Sequence, residues 1–126
     1  MAKAPALSRA VVLGASPKED RYSFKAVRML KEHGFRPIPV HPAGHTVDGL
    51  EGLKSLDEVT DSIDTLTVYV SARISSAEIE RILKLSPRRV IFNPGAENPD
   101  LATELEKAGI EVVQACTLVM LRTEQY

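Results

Sequence analysis

Ala10-Val11-Val12-Leu13-Gly14-Ala15-Ser16, followed by Pro17-Lys18-Glu19-Asp20-Arg21-Tyr22-Ser23, is the stretch that decides the fold. The apolar run Ala10 to Leu13 reads as a strand covered on both faces. It ends abruptly in three small residues. Small side chains there let the backbone come close to a ligand, and amides of the loop and of the next helix start can point at an anion. A tight strand-to-helix turn without a ligand uses the same residues, since short glycine motifs also occur without function. The rest of the chain has to decide between the two.

Downstream of that stretch, apolar periodicity and turn residues mark the elements. Ser23 suits an N-cap, and Phe24, Val27, Met29, Leu30 and His33 follow with near-helical spacing until Gly34 stops the helix. Arg36 to Pro42 is extended. Its prolines lack ladder donors, which favours an edge, although prolines at alternate positions leave one side of a strand able to pair, so a central place stays open. Ala43 to Leu53, with three glycines, reads as a loop. Ser55 to Glu58 has capping-box spacing and suggests a short helix around Asp57 to Val59. Thr65 to Val70 is a third strand, rich in β-branched residues. Ser75 to Glu78 again has capping-box spacing, with Ile79, Ile82, Leu83 and Leu85 as the apolar face of its helix. Arg89 to Phe92 is a fourth strand. Asn98 then Pro99 reads as an N-cap with proline at the first helical position; Leu101, Leu105 and Ala108 face inward and Gly109 ends that helix. Ile110 to Val113 is a fifth strand, and Thr117 to Glu124 forms one last helical turn or two. Strands alternating with helices imply a parallel sheet of about five strands, doubly wound and Rossmann-like, in three α/β/α layers.

Composition bounds the function. The chain has 126 residues, 44% of them hydrophobic and 26% charged, with a net charge of -1. Residues 1–126 are expected to form a single domain, with 1–8 flexible, that buries roughly two-thirds of its unfolded surface. With no basic excess, neither nucleic acid nor an anionic membrane is expected as a partner, so any phosphate site must be local. No apolar run approaches the roughly 20 residues that span a bilayer, and Met1 to Ser8 lacks the apolar core of a signal peptide. One cysteine, Cys116, excludes an internal disulfide and fits a reducing compartment, so the cytoplasm is the expected location.

Ligands of such sheets bind beyond the carboxyl ends of the strands, near the switch in strand order. Small and polar residues gather there: Gly14, Ala15, Ser16 and Lys18 after the first strand, His41, Pro42 and Gly44 after the second, Ser71 and Arg73 after the third, Asn93, Pro94 and Gly95 after the fourth, Cys116 and Thr117 after the fifth. NAD usually needs an acidic residue after the second strand; Val40-His41-Pro42 stands there instead, and the first loop is not G-x-G-x-x-G. NAD is therefore disfavoured, and an adenine nucleotide with extra phosphate is better served by Lys18, Arg21, Arg73 and His41.

The order Gly14-Ala15-Ser16-Pro17-Lys18, Val40-His41-Pro42, Phe92-Asn93-Pro94-Gly95, Cys116-Thr117-Leu118-Val119-Met120-Leu121 resembles the small stand-alone CoA-binding domain proteins. These are similar to the N-terminal domain of the succinyl-CoA synthetase alpha subunit. The resemblance runs from Ser8 to Gln125. It implies that the first loop (Gly14, Ala15, Ser16, Lys18, Arg21, Ser23) takes the diphosphate. It places the adenosine end at the second and third strand ends (Val40, His41, Pro42, Val70, Ser71, Arg73), and Asn93, Pro94 and Gly95 near the pantetheine arm. It implies coenzyme A or an acyl-CoA as ligand and does not imply ligase chemistry, because nothing matches the catalytic phosphohistidine segment of the synthetase. A carrier, sensor or regulatory module, with a partner protein or as a homodimer, is the leading expectation. The alternatives are an NAD(P)-binding redox sensor and a subunit of an enzyme acting on CoA thioesters.

Individual residues also have plainer readings. Ser16 is a diphosphate donor or a helix cap; Lys18, Arg21 and Arg73 are phosphate partners or solvated charges. His41 and His45 have a spacing conceivable for a metal but lack a third ligand nearby, so no metal is expected. His33 complements a helix C-terminus. Glu97 and Asp100 read as a negatively charged helix start rather than an acid–base pair, and no nucleophile–base pair is visible. Cys116 falls on the ligand side, where a CoA thiol could form a mixed disulfide with it under oxidation.

Overall fold

The computed structural model describes residues 9–126; the expected flexibility of residues 1–8 lies outside the described residues. Its strands are β1 (Arg9–Leu13), β2 (Arg36–Val40), β3 (Thr65–Val68), β4 (Arg89–Phe92) and β5 (Glu111–Gln114), all parallel in the order β2-β1-β3-β4-β5. The Rossmann-like, doubly wound α/β sheet expected from the alternation of elements is therefore the fold. The helices are α1 (Tyr22–Glu32), α2 (Ala72–Ser76), α3 (Ile79–Leu85), α4 (Pro99–Lys107) and α5 (Thr117–Arg122), with a 3₁₀ turn at Leu56–Glu58.

Alternation along β1 builds both cores at once. Val11 and Leu13 face a layer containing Leu56, Ile82, Leu101 and Leu105, from the 3₁₀ turn, α3 and α4. Ala10 and Val12 face the other layer, with Phe24, Val27 and Leu30 of α1 and Leu121 of α5. Successive residues of a strand point to opposite faces, so a strand buried on both sides must be apolar throughout.

Pro37 and Pro39 put β2 at an edge. Both lack their amides on the outward side, where Pro39 still offers a carbonyl that accepts from Leu53 N at 2.9 Å. The intervening Ile38 and Val40 turn their polar groups to β1, whose register they share through Val11 and Leu13. A bridge between Val40 and Leu53 covers part of the outer edge. β3 stops at Val68, two residues short of the expected Val70. Its last rung is Tyr69 N to Leu13 O, because β1 has by then turned away at Gly14.

Two caps behave differently from each other. Ser55 Oγ accepts from Asp57 N at 3.1 Å and Glu58 Oε1 accepts from Lys54 N at 2.7 Å, a slightly displaced capping box. The expected box at Ser75–Glu78 does not form, because α2 already runs through Ser75 and Ser76. Asn98 is the reason. Its Oδ1 caps α4 through Leu101 N, while its Nδ2 lies within 3.1 Å of Ala72 O, Ser75 Oγ and Ser76 Oγ. Leu83 and Ala108, expected to face inward, are exposed; Ile79 and Leu85 pack on the core beside buried Ile82.

Asn98→Ala removes a cap and orphans groups on α2 together. The expected cost is about 2 kcal/mol, read as a lower urea midpoint with an unchanged m-value.

Candidate functional site

The hydrogen bonds of the loop leaving β1 decide what that loop can hold. Gly14 N and Ala15 N both donate to Val40 O, at 2.8 and 3.2 Å. Ser16 N donates to Ser23 Oγ at 3.1 Å, and Lys18 N donates to Ser16 Oγ at 3.1 Å. Pro17 has no amide. Every amide from Gly14 to Lys18 is thus engaged within the chain, contrary to the expectation that the loop itself offers its amides to an anion. Among the described residues, Tyr22, Ser23 and Phe24, in the first turn of α1, keep unpartnered amides. A helix leaves its first amides unpaired, and their partial positive charge favours an anion.

Ser23 is likewise not the N-cap. Arg21 holds that position with extended backbone and makes no side-chain cap, and Ser23, 5% exposed, sits inside the helix as acceptor for the loop. Gly14 is obligatory on steric grounds. Its φ is +91°, and a Cβ on it would lie 2.7 Å from Val70 Cγ1.

Between the exits of β1, β3 and β4 lies a cleft of ≈ 500 Å³. This is the point where the strand order reverses. Gly14, Ser16, Lys18, Arg21 and Ser23 line one side, and Val70, Ser71, Pro94 and Gly95 the other. No Asp or Glu lines it, while Lys18, Arg21 and His45 do. Pro17, Tyr22, Tyr69 and Ala96 also line the cleft, and of these Tyr22 and Tyr69 were not read from the sequence as site residues. Tyr22 is 68% exposed, an aromatic ring left at the cleft without apolar cover. Tyr69 has its hydroxyl enclosed without a hydrogen-bond partner, and burial above all pushes its phenol well above the usual range.

The remaining sequence candidates lie elsewhere. Ala15 is fully buried behind the loop. Val40 and Pro42 line a smaller recess of ≈ 180 Å³, largely apolar, with Leu13, Leu56 and Ile74. The recess shares Gly14 and Val70 with the cleft; Lys54 and Arg81 supply its cations, and Glu78, paired with Arg81, its one carboxylate. Arg73 is exposed on α2 and lines neither. Cys116 is half-buried, holds the N-cap position of α5 and lines neither. Asn93 is an internal pin: at 1% exposure its Nδ2 donates to Thr67 Oγ1 and Val68 O, and its Oδ1 accepts from Thr117 N. Its amide joins β3, β4 and α5 and leaves no polar atom for a ligand.

Glu97 accepts from Gly95 N with both oxygens at 3.1 Å. Its own amide and that of Gly95 hold its carboxyl below the usual range, which suits a fixed anion rather than an acid. The His41 and His45 rings lie 4.7 Å apart, tilted by 39°. His41 Nδ1 accepts from Ala43 N at 3.0 Å. No third His, Cys, Asp or Glu joins them to form a metal-sized group among the described residues.

Known proteins share this arrangement of strands and loops. Residues 8–122 match a family model described as a CoA binding domain. The chain belongs to this family of CoA-binding domains. A crystal structure of an uncharacterized protein is similar at 40% identity and a TM-score of 0.90, over 96% of this chain and 99% of that one. The structure of cell-free ID.343 from Thermus thermophilus is 30% identical with a TM-score of 0.83, over 96% of this chain and 91% of that one. A 5-oxoprolinase subunit of Staphylococcus carnosus (strain TM300) is 27% identical over 88% of this chain; the match spans 44% of that protein's length, less than half. Among the described residues no helix is long and apolar enough to cross a membrane.

Burial, and then the neighbouring His45 ring, hold His41 below the ordinary histidine range. The unfolded chain therefore takes up this proton before the folded one does. The contribution is absent above pH ~6.5 and turns destabilising as pH falls below that value. His41→Asn, whose Oδ1 can accept the Ala43 amide, is expected to lose less stability than the parent between pH 7.5 and 5.5. Urea midpoints at the two pH values measure the difference.

Proposed function

We propose that this domain binds coenzyme A or an acyl-CoA, with the diphosphate at the start of α1 and the adenosine end in the recess beneath Val40 and Pro42. The observation that carries the reading is electrostatic. A chain with a net charge of -1 gathers Lys18, Arg21, His45 and the helix start with the unpartnered amides of Tyr22 and Ser23 around one cleft that no carboxylate lines. Such a site favours polyanions and gains strength from its low-dielectric walls. The family supplies the ligand class.

The cleft and the recess fit the parts of such a ligand. A diphosphate needs donors and cations, which the cleft holds. A purine needs two apolar faces, which Val40, Pro42 and Ile74 offer. Ser16, with its hydroxyl already accepting from Lys18 N, supports the turn and can turn its own hydroxyl hydrogen to a phosphate oxygen. Nicotinamide dinucleotides fit less well, since no acidic residue follows β2 for the ribose hydroxyls. Within the cleft no carboxylate or thiol stands beside a base, so binding, with a carrier, sensor or regulatory role, is the reading that these residues support.

Calorimetric titration against CoA, acetyl-CoA, NADH and NADPH tests it. CoA or acetyl-CoA should bind with micromolar or better affinity and the nicotinamide cofactors should not; the reverse preference overturns the reading. Ser16→Asp keeps an acceptor for the Lys18 amide but adds a carboxylate to the cleft. It should weaken CoA binding by about tenfold or more, the scale of one lost charge-assisted contact. Unchanged affinity would show that the diphosphate lies elsewhere.

A further inference from the structure

The loop after β2 folds two imidazoles together, and one of them, His45, lines the cleft. Gly44 N donates to His41 O at 2.8 Å, and Gly44 has φ +65°, so the chain reverses between the two histidines. The reversal is held firmly. His41 N donates to Leu53 O at 2.9 Å, and Gly52 packs so closely that a Cβ on it would lie 2.1 Å from His45 O. Farther along, Asp48 pairs with Arg28 and Lys31 of α1 at 3.0 and 2.9 Å. The backbone that carries both rings is therefore fixed when one of them gains a proton.

The two rings have different surroundings. His41 uses Nδ1 as an acceptor, so its neutral form carries the proton on Nε2. A second proton on Nδ1 would face the Ala43 N–H and break that bond. His45 lines the cleft. The charged groups lining the cleft with it are Lys18, before α1, and Arg21 at its N-cap, both cations; the neighbouring recess adds Lys54 and Arg81, the latter paired with the Glu78 carboxylate of that recess at 3.6 Å. Tyr22 from α1 and Tyr69 after β3 are neutral neighbours in the cleft. On the histidines' own loop, Asp48 is turned to α1. The ligand-free cleft thus offers a proton on this pair cationic neighbours and no carboxylate.

A bound diphosphate reverses that balance, because it brings the anionic charge that the cleft lacks. We propose that the His41–His45 pair takes up a proton when a phosphorylated ligand binds, so that capture tightens as pH falls from 8 to 6. The inference rests on the CoA reading of the same cleft and adds its regulation. By linkage, a site that binds protons better when occupied binds its ligand better when protons are abundant. Imidazole is the side chain whose charge changes in this range without a large perturbation. CoA's phosphate monoester, with a second pKa of about 6, opposes the trend when the dianion is preferred, so comparison with variants is essential.

The test is calorimetry of the full chain with CoA at pH 6, 7 and 8, in buffers of different ionisation enthalpy. The variant is His41→Asn with His45→Gln: Asn Oδ1 can accept from Ala43 N, and Gln retains a side-chain donor without the titration. The parent should bind about tenfold more tightly at pH 6 than at pH 8, with proton uptake approaching about one per CoA. The double variant should change by less than about twofold, with correspondingly less uptake. CoA binding at pH 8 without tightening at pH 6, or tightening that persists in the double variant, overturns the proton coupling and leaves the CoA reading standing. Failure of CoA to bind at any of the three pH values overturns both.

Discussion

The close approach of Gly14 to the end of β3 is the constraint on which the site depends. A residue with φ +91° and no side chain lets the chain leave β1 with Val70 Cγ1 only 2.7 Å from where a Cβ would lie. The same residue donates its amide to Val40 O, which ties the exit of β1 to the end of β2. One position thereby fixes three strand ends, and the cleft and the apolar recess lie on either side of it. A larger residue would have to displace β3 or give up the turn, and either change would alter both spaces.

From that turn follows a division of labour between loop and helix. The loop amides fasten the loop: to Val40, to Ser23 and to Ser16. Unpaired donors remain in the first turn of α1. The opposite end of the sheet is organised differently. There buried Asp64 accepts two bonds from Arg88, at 2.6 and 3.0 Å, and one from Thr65 at 2.7 Å. Paired charges close the amino ends of the strands, while cations without carboxylates line the carboxyl-end cleft. This contrast distinguishes a site from an ordinary polar surface.

The buried polar residues carry a second lesson. Asn93 and Asn98 both look like ligand-side or cap residues in the sequence. Asn98 does cap α4, but it also reaches α2, and Asn93 spends its whole amide on β3, β4 and α5. A buried amide without partners would be costly, so these side chains serve the scaffold that shapes the cleft. Lys18 and Arg21 differ: their side chains line the cleft, and neither pairs with a carboxylate of another element.

The sequence by itself determined the strand–helix alternation, the apolar β1, the glycine turn and the order of small residues at the strand ends. Periodicity and turn chemistry are local, so a linear chain carries them. The edge position of β2 was only half readable: prolines argue for an edge, but alternate prolines leave one side able to pair, and the tertiary pairing decided it. What the tertiary structure decided was where side chains and amides find partners. Ser23 became a buried acceptor, Asn93 a pin, His45 a cleft residue and Ala15 a core residue through contacts with segments distant in sequence. The amide inventory of the first loop was likewise invisible, because Val40 O lies 26 residues beyond Gly14 and meets it only once β1 and β2 are paired in register.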